Sequence, residues 1–168
     1  MKNKVFNNSI CFPYDFDYPN LTKVQKEDII SSIFEQLLIF DKIVVLVAVN
    51  PNKRFTFSVD ERVSMIRDSL KDYPQVSVDS TSGLTVHYAQ KIGAKAMIRG
   101  LRAATDFEYE FQINNANRFI DKQIESIFFM AKHEFMFISS STIKEMVAGG
   151  IDVSKLVPAT VWAKFNHK

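Results

Sequence analysis

Two arginines three residues apart, Arg99 and Arg102, are the side chains in this sequence best suited to bind an anionic ligand. They lie in the stretch IRGLRAATDFEYE at 98–110, which begins at the end of a short apolar run at 96–98. A guanidinium group matches phosphate oxygens with paired hydrogen bonds. The pattern predicts a buried strand and then a tight turn that Gly100 permits, with both arginines at the carboxyl edge of a sheet, where open α/β folds bind ligands. An ordinary solvated turn is the alternative interpretation.

Two further segments carry groups suited to phosphate. Lys53 lies in a loop directly after the apolar run 43–49, which places it at the same predicted sheet edge as Arg99. The serines at 139–141 precede a helical pattern, and a helix N-terminus offers free N–H groups and a positive dipole to an anion. A solvated basic turn and a simple helix N-cap are the alternative interpretations of these two segments.

The residues after the RGLR segment (99–102) predict a helix over 107–119. Phe107 and Phe111 are four residues apart, so they share one face of this helix, and we expect that face to lie against the core. Asp106, directly before the helix, is a candidate for its N-cap.

The elements that must position these residues alternate between apolar runs and helical patterns. This alternation predicts an α/β fold with a mostly parallel sheet and helices on both faces. The run 43–49 has no polar position, which predicts the fully buried central strand. The other predicted strands are 9–12, 76–78, 96–98 and 127–130, and the predicted helices before residue 120 are 27–38, 59–70, 85–92 and 107–119.

Several helix ends have recognisable signals. Ser58 with Glu61 three residues later is a capping box that opens the helix at 59. Gly93 is placed to end the helix that begins at 85. A helix is predicted to begin at the hydroxyl residues 140–142 and to stop at 149–150, which are both glycine, and Pro158 is placed to open a short last helix.

The bulk composition is that of one globular domain over residues 1–168. A net charge of +2 lacks the strong basic excess of a nucleic-acid-binding protein. The longest apolar run, 43–49, is too short to span a bilayer, and the N-terminus has no signal-peptide core. We therefore expect a cytoplasmic protein that binds neither nucleic acid nor membranes.

Metal-binding and disulfide chemistry have little support in the sequence. The three histidines, His87, His133 and His167, show no ligand spacing, so no protein-bound metal site is predicted. One cysteine cannot form an internal disulfide.

Several motifs in the same order resemble those of the bacterial phosphopantetheine adenylyltransferases. The similarity runs from about residue 43 to the C-terminus. The matching segments are NKR at 52–54, FSVDER at 57–62, GLTV at 83–86, RGLR at 99–102, DFEYE at 106–110, ISSS at 138–141 and the stretch 149–158.

The resemblance implies a Rossmann-like nucleotidyltransferase fold and a specific activity. The family transfers AMP from ATP to 4′-phosphopantetheine, which gives dephospho-CoA and pyrophosphate in coenzyme A biosynthesis. Magnesium accompanies the ATP, and the family's assembly is a homohexamer. The implied partners are therefore ATP, 4′-phosphopantetheine, and dephospho-CoA or CoA. A related nucleotidyltransferase with another phosphate acceptor matches less well, because the segments 83–85 and 99–102 together fit the pantetheine enzymes best.

The resemblance also implies residue roles. Lys53, Arg102 and Lys23 are the expected catalytic cations. The expected ATP contacts are Phe16, Gly100, Leu101, Arg102, Phe135, Met136, Phe137, Ile138, Ser139, Ser140, Ser141 and Glu110, the last at the ribose or adenine end. The expected contacts to the acceptor substrate are Asp15, Lys53, Leu84 and Thr85, with Arg99 on its phosphate.

The N-terminal catalytic loop departs from the family pattern, Pro-Gly-(Thr/Ser)-Phe-Asp-Pro closing in Gly-His. Tyr14 stands in place of the glycine, Asp15 in place of the Thr or Ser, and no histidine follows nearby. Counting forward without gaps puts Lys23 at the histidine position, although extra residues near 18–25 make that register one of several. Two hypotheses follow: an adenylyltransferase with an altered loop, or a non-catalytic relative that binds ATP or CoA.

Overall fold

The structure, a computed structural model, describes the backbone of residues 9–14 together with residues 40–49, 55–130, 136 and 139–166. Five parallel strands form one sheet in the order β3-β2-β1-β4-β5. The strands are β1 (Ser9–Tyr14), β2 (Lys42–Ala48), β3 (Val76–Thr81), β4 (Ala96–Leu101) and β5 (Glu125–Met130). The helices are α1 (Val59–Ser69), α2 (Thr85–Lys91), α3 (Ala104–Ile120), α4 (Ser140–Ala148) and α5 (Ala159–Asn166). The predicted helix at 27–38 lies outside the described residues.

The sheet is covered by helices on both faces, as the alternating pattern predicts. One core cluster joins alternate residues of the strands, among them Ile43, Val45 and Val47, to Ile66 and Leu70 at α1. A second cluster lies on the opposite face, where Leu46 and Met97 meet Val86 and Ala89 of α2. A third cluster forms beside α1, where α4 and α5 contribute Ile143 and Val161. Within the described helices, none is long and apolar enough to cross a membrane.

The central strand is β1, and the prediction that the run 43–49 is central was wrong. β2 lies between β1 and β3, one place from the centre. Both faces of β2 are covered, so Ile43, Leu46 and Val47 are fully buried without that strand being central. The apolar residues of a strand indicate that both of its faces are covered. Its place in the sheet depends instead on the crossover connections between strands.

Four strands extend beyond their predicted bounds. β1 runs to Tyr14, β3 to Thr81 and β4 to Leu101, and β5 begins at Glu125. The added positions are largely polar or glycine, so the apolar pattern stops short of them. Their backbones pair with neighbouring parallel strands, as where Arg99, Gly100 and Leu101 pair with β5, and this pairing satisfies their N–H and C=O groups.

The helix ends predicted from Ser58, Gly93, the glycines at 149–150 and Pro158 are confirmed. Ser58 and Glu61 form a reciprocal capping box at the start of α1. α2 ends at Lys91 and is followed by Gly93 with φ +67°, and α4 ends before Gly149 and Gly150, where Gly150 has φ +76°. The N–H groups of residues 161 and 162 donate to the carbonyl of Pro158, which opens α5.

Helix α3 differs from its prediction in both start and orientation. It begins at Ala104, three residues earlier than expected, and none of its residues is buried. The side chains of Phe107 and Phe111 are 47% and 50% exposed, so the expectation that they face the core was wrong. The inward face of α3 instead carries the carboxylates of Asp106 and Glu110, which pair with arginines at the end of β4. Two ion pairs therefore lie on the inward face, where the spacing of the phenylalanines predicted core contacts.

Candidate active site

The order in which the chain adds strands reverses between β1 and β4, and a ligand crevice is expected at this point. From β1, the chain order proceeds outward through β2 and β3 on one side and through β4 and β5 on the other. The described pairing of β1 with β4 consists of Ile10 with Ala96 and Cys11 with Met97, although both strands continue for several more residues. The carboxyl ends of β1 and β4 therefore separate. Such a reversal point is the usual ligand crevice of an open α/β sheet.

The RGLR segment lies beside this crevice as strand rather than as a turn. Arg99, Gly100 and Leu101 are the last three residues of β4 and pair with Phe128, Phe129 and Met130 of β5. The prediction that Gly100 makes a tight turn was wrong: its φ is not positive, and a Cβ atom there would meet nothing within 4 Å. The absent side chain leaves open space at the end of β4. The chain turns only after Leu101, at residues 102–103.

Arg99 forms a bidentate ion pair with Glu110 of α3. Its Nε donates to Oε2 and its Nη2 donates to Oε1, both at 2.6 Å. The side chains are 14% and 12% exposed, so water has little access to either charge. Two residues that the sequence assigned to different ligands, the acceptor phosphate and the ribose or adenine, are thus direct partners of each other.

Arg102 pairs with Asp106, which lies one turn before Glu110 on α3. Asp106 accepts hydrogen bonds from the backbone N–H of Arg102 at 2.9 Å and from its Nε at 3.2 Å. Burial alone would raise the pKa of Asp106, but the hydrogen bonds from Arg102 and its positive charge outweigh burial, so this pKa is lowered. Asp106 therefore stabilises the turn into α3, while Ala103 occupies the N-cap position without a side-chain cap.

The serine segment opens α4, as predicted. The hydroxyl of Ser139 caps the helix by accepting from the N–H of Thr142 at 3.1 Å, and it lies 2.8 Å from the Thr142 hydroxyl. Within the described part of the chain, the N–H groups of Ser140 and Ser141 have no recorded acceptor. The first turn of α4 thus presents free donors and hydroxyls, a combination that suits an anion.

Packing brings this helix end towards the carboxyl edge of the sheet. Ile143, in the first turn of α4, belongs to the same buried cluster as Phe57 and Met65, which lie just before and within α1. α1 follows β2, so its first turn lies on the carboxyl side of the sheet. Met136 is 39% exposed. Phe135, Phe137 and Ile138 lie outside the described residues.

The predicted acceptor contacts Leu84 and Thr85 lie at the same edge but beyond another strand. Thr85 begins α2 directly after β3, and Leu84 is an N-cap residue without a side-chain cap and is 54% exposed. β3 and β4 are separated by β2 and β1 in the sheet. Three strand spacings correspond to roughly 14 Å.

The remaining predicted site residues, Asp15, Phe16, Lys23 and Lys53, lie outside the described residues. Their roles stay predictions. The described histidines, cysteines and acidic residues contain no group of three or more arranged to hold a metal ion.

One cation that sequence reasoning passed over is Lys144. It lies in α4, four residues after Ser140, and partial burial lowers its pKa. The available signal was its spacing. Residues four apart share one helix face, so Lys144 lies on the same face as Ser140 in the predicted phosphate segment.

Comparisons with known proteins identify the family and the fold. A family model described as cytidylyltransferase-like matches residues 30–146. A phosphopantetheine adenylyltransferase from Desulfosudis oleivorans is 46% identical over 130 residues, which is 77% of each chain. A crystal structure from Vibrio parahaemolyticus, assigned as a nicotinate-nucleotide adenylyltransferase, superimposes with a TM-score of 0.65 over 96% of this chain and 99% of its own, at 17% identity, which shows the shared fold. The chain belongs to the phosphopantetheine adenylyltransferases of the cytidylyltransferase-like family.

Proposed function

We propose that this chain transfers the adenylyl group of magnesium-bound ATP to 4′-phosphopantetheine, giving dephospho-CoA and pyrophosphate. The observation that carries the proposal is the pair of arginines, Arg99 and Arg102, beside the crevice at the carboxyl ends of β1 and β4. Two guanidinium groups three residues apart suit a reaction between two phosphorylated substrates. The name of the Desulfosudis oleivorans relative supports the identity of those substrates.

The two substrates are assigned to different parts of the crevice. Arg102, Gly100 and the first turn of α4 at 139–141 are proposed to contact ATP. Arg99 is proposed to hold the phosphate of the acceptor, and its pantetheine arm extends towards Leu84 and Thr85. A span of roughly 14 Å between β4 and β3 suits an extended arm, and the exposed apolar side chain of Leu84 suits its apolar atoms.

The proposed reaction is direct in-line transfer. An oxygen of the acceptor phosphate forms a bond to the α-phosphorus of ATP, while the bond from that phosphorus to the bridging α,β-oxygen breaks. Pyrophosphate leaves with its magnesium, and no covalent bond to the protein is needed. The protein's part is to align the two phosphates and to stabilise the charge on the α-phosphate, with Arg102 and Lys53 as the proposed cations.

The altered N-terminal loop supports a second candidate, a non-catalytic protein that binds ATP or CoA. Tyr14 and Asp15 stand where the family has a glycine and a phosphate-binding hydroxyl, and the family's histidine is missing. A carboxylate facing the substrate phosphate would repel it, so Lys23 or another group of the inserted residues must compensate if the site is catalytic. Both candidates share the nucleotide site on β4 and α4, and they differ only in turnover.

A homo-oligomer is also proposed, supported by an uncovered apolar surface at the edge of the sheet. This edge patch consists of Phe107, Phe111, Phe128 and Met130. Phe107 packs edge-on against Phe128 with ring centroids 6.2 Å apart, and Met130 is 66% exposed. Contiguous exposed apolar surface is a common feature of protein–protein interfaces.

The activity test is release of pyrophosphate from ATP, magnesium and 4′-phosphopantetheine, with omission of the acceptor as control. Catalysis predicts acceptor-dependent release, and Lys23→Ala should slow it while leaving ATP affinity nearly unchanged, as expected of a group used in the transition state. With three departures in one loop, we expect turnover below the usual enzyme range of about 1–1000 per second. Binding of ATP or CoA without release would favour the non-catalytic candidate, and absence of both would contradict the two together.

A further inference from the structure

An arginine in α1 stacks on an aromatic ring of the chain that leads into this helix. The Cζ atom of Arg62 lies 4.1 Å from the ring centroid of Phe55. Arg62 is fully buried in the first turn of α1, and Phe55 is partly buried, three residues before the N-cap Ser58. A cation over an aromatic face is attracted by the ring quadrupole, most strongly where water is excluded. The stack therefore fixes Phe55 against the start of α1.

A second aromatic residue anchors the same chain. A residue before the N-cap often packs against the fourth helical residue, which fixes the angle at which the chain enters the helix. Arg62 is the fourth residue of α1 and contacts Phe55. Phe57, directly before the N-cap, is buried and meets the ring of Phe165 edge-on, with centroids 5.5 Å apart. The entering chain is thus held at two points, and Phe55 is the outer one.

The outer anchor matters because of the residue that precedes it in the sequence. Lys53, one of the proposed phosphate-binding cations, comes two residues before Phe55 and four before Phe57. Each residue extends a chain by at most about 3.6 Å, so the reach to the Lys53 backbone is roughly 7 Å from Phe55 and roughly 14 Å from Phe57. Doubling the length of a tether lowers the effective concentration of its end about three- to eightfold.

We propose that Phe55, held by Arg62, is a positioning residue that keeps Lys53 at the carboxyl edge of the sheet for the phosphate of the acceptor substrate. The inference rests on the proposed function, in which Lys53 contacts that phosphate. The start of α1 lies at this edge because α1 follows β2. The same edge carries Arg99 at the end of β4, so a lysine held there adds a second cation for the acceptor.

The binding test uses calorimetry with 4′-phosphopantetheine, with pantetheine, which lacks the phosphate, and with ATP. Phe55→Leu keeps an apolar side chain but removes the ring, and it should raise the Kd for 4′-phosphopantetheine about three- to eightfold. The Kd values for pantetheine and ATP should not change. Phe55→Tyr keeps the ring face and should bind as the unmodified protein does.

Tyr73→Leu is the matched control, because it removes a partly buried ring just beyond the other end of α1. It should leave all three Kd values unchanged. Phe55→Met, which fills more of the ring volume, replaces Phe55→Leu if the latter lowers the melting temperature more than the control does.

A double-variant cycle separates positioning from a general effect on the site. Lys53→Ala should raise the Kd for 4′-phosphopantetheine about tenfold or more, the scale of a hydrogen bond to a charged group. In that background Phe55→Leu should add no further loss, because the cation that Phe55 positions is gone. A side chain that only supports the fold would weaken binding equally in both backgrounds.

Limited trypsin digestion tests the anchoring without any ligand. Cleavage between Lys53 and Arg54 measures how often this segment opens, and both residues are the same in the Phe55 and Tyr73 variants. The cleavage rate, followed by mass spectrometry, should rise several-fold in Phe55→Leu and stay unchanged in Phe55→Tyr and Tyr73→Leu.

Three results would overturn the inference alone: unchanged acceptor affinity in Phe55→Leu, an additive loss in the double variant, or an equal loss in Phe55→Tyr and Phe55→Leu. An unchanged cleavage rate in Phe55→Leu would show that the stack does not hold the segment. An unmodified protein that binds no 4′-phosphopantetheine would instead contradict the proposed function, and the role of Phe55 with it. A protein that binds this substrate without turnover still decides the inference, since each readout is independent of catalysis.

Discussion

At the end of β4, each of the two arginines has a carboxylate partner on α3. Arg99 pairs with Glu110 and Arg102 with Asp106, so the crevice carries less net positive charge than its arginines suggest. We therefore expect affinity for phosphate there to depend on the orientation of the two guanidinium groups more than on long-range attraction. This makes single substitutions at these residues informative about which substrate each one contacts.

Arg102→Ala is expected to weaken ATP binding by about 1.5–3 kcal/mol, the scale of a hydrogen bond to a charged group. Titration calorimetry with ATP measures the change. Lys122→Ala is the control. It removes one positive charge from the loop before β5, which lies at the amino ends of the strands, away from the proposed site. Equal losses in the two variants would show a general charge effect and contradict a direct contact.

Gly100→Ala is expected to fold normally but to bind ATP more weakly. Gly100 has no positive φ, and a Cβ atom would meet nothing within 4 Å, so neither strain nor packing opposes the substitution. Stability should change by no more than about 1 kcal/mol, the usual range for Gly to Ala at a compatible position. The open space at this position is the proposed path of the ATP phosphates, which a methyl group would obstruct. Urea denaturation measures the stability of the variant, and titration with ATP measures its affinity. Unchanged ATP affinity would contradict a role for Gly100 in the ATP site.

Among the elements, α1 has the best-defined start. Ser58 and Glu61 exchange hydrogen bonds between side chain and backbone, and Glu61 also meets Lys164 of α5 at 3.5 Å. The pKa of Glu61 is lowered, chiefly by the hydrogen bond from the Ser58 backbone. The capping box therefore links the start of α1 to the last helix and makes it sensitive to acid.

Ser58→Ala is expected to destabilise the fold by about 1 kcal/mol through loss of the N-cap. Urea denaturation at neutral pH measures it. Ser64→Ala, at an exposed position within the same helix, is the control. A cost no larger than that of the control would show that the cap does not stabilise the folded state.

The acid dependence of the capping box has a definite sign. A carboxylate with a lowered pKa in the folded state stabilises the protein above its ordinary value of 4.5, and this contribution is lost as the pH falls through the lower folded value. Glu61→Gln keeps a capping side chain but does not titrate. The variant should therefore lose less stability than the unmodified protein between pH 4.5 and more acidic conditions. Parallel acid dependence of the two proteins would contradict this assignment.

On the scale of the whole molecule, the edge patch (Phe107, Phe111, Phe128 and Met130) is an apolar surface that the described residues leave partly exposed. A buried aromatic side chain removes about 150–250 Å² from water, and here Phe107 and Phe111 are about half exposed. We expect a second copy of the chain to cover this patch. The family's homohexamer remains the expected assembly.

Phe111→Glu is expected to lower the molecular mass in solution towards that of one 19.3 kDa chain. A carboxylate cannot be buried in an apolar interface without a large desolvation cost. Sedimentation velocity measures the mass, and Gln112→Glu adds the same charge at a neighbouring exposed position of α3 as control. An unmodified protein that sediments as a monomer would contradict the assembly, and equal effects of the two variants would place the interface elsewhere on the helix.

The sequence by itself determined the fold class, most of the elements and several of their ends. Alternating apolar runs and helical patterns predicted the parallel sheet with helices on both faces, because these patterns follow from backbone geometry. Ser58, Gly93 and Pro158 marked helix ends because each acts through local hydrogen bonds or restricted φ. The RGLR and serine segments were predicted as site residues from residue type and spacing, and their roles stay predictions.

Only the tertiary structure decided what those residues contact. Gly100 is extended because β5 pairs with the end of β4, and β1 is central because of the order of the crossovers. Glu110 lies eleven residues after Arg99 in the sequence, and the two side chains meet only because α3 packs against β4. Phe111 lies at the surface because that packing turns the carboxylates inward. Local sequence cannot show these contacts, since each depends on where a neighbouring strand or helix lies in space.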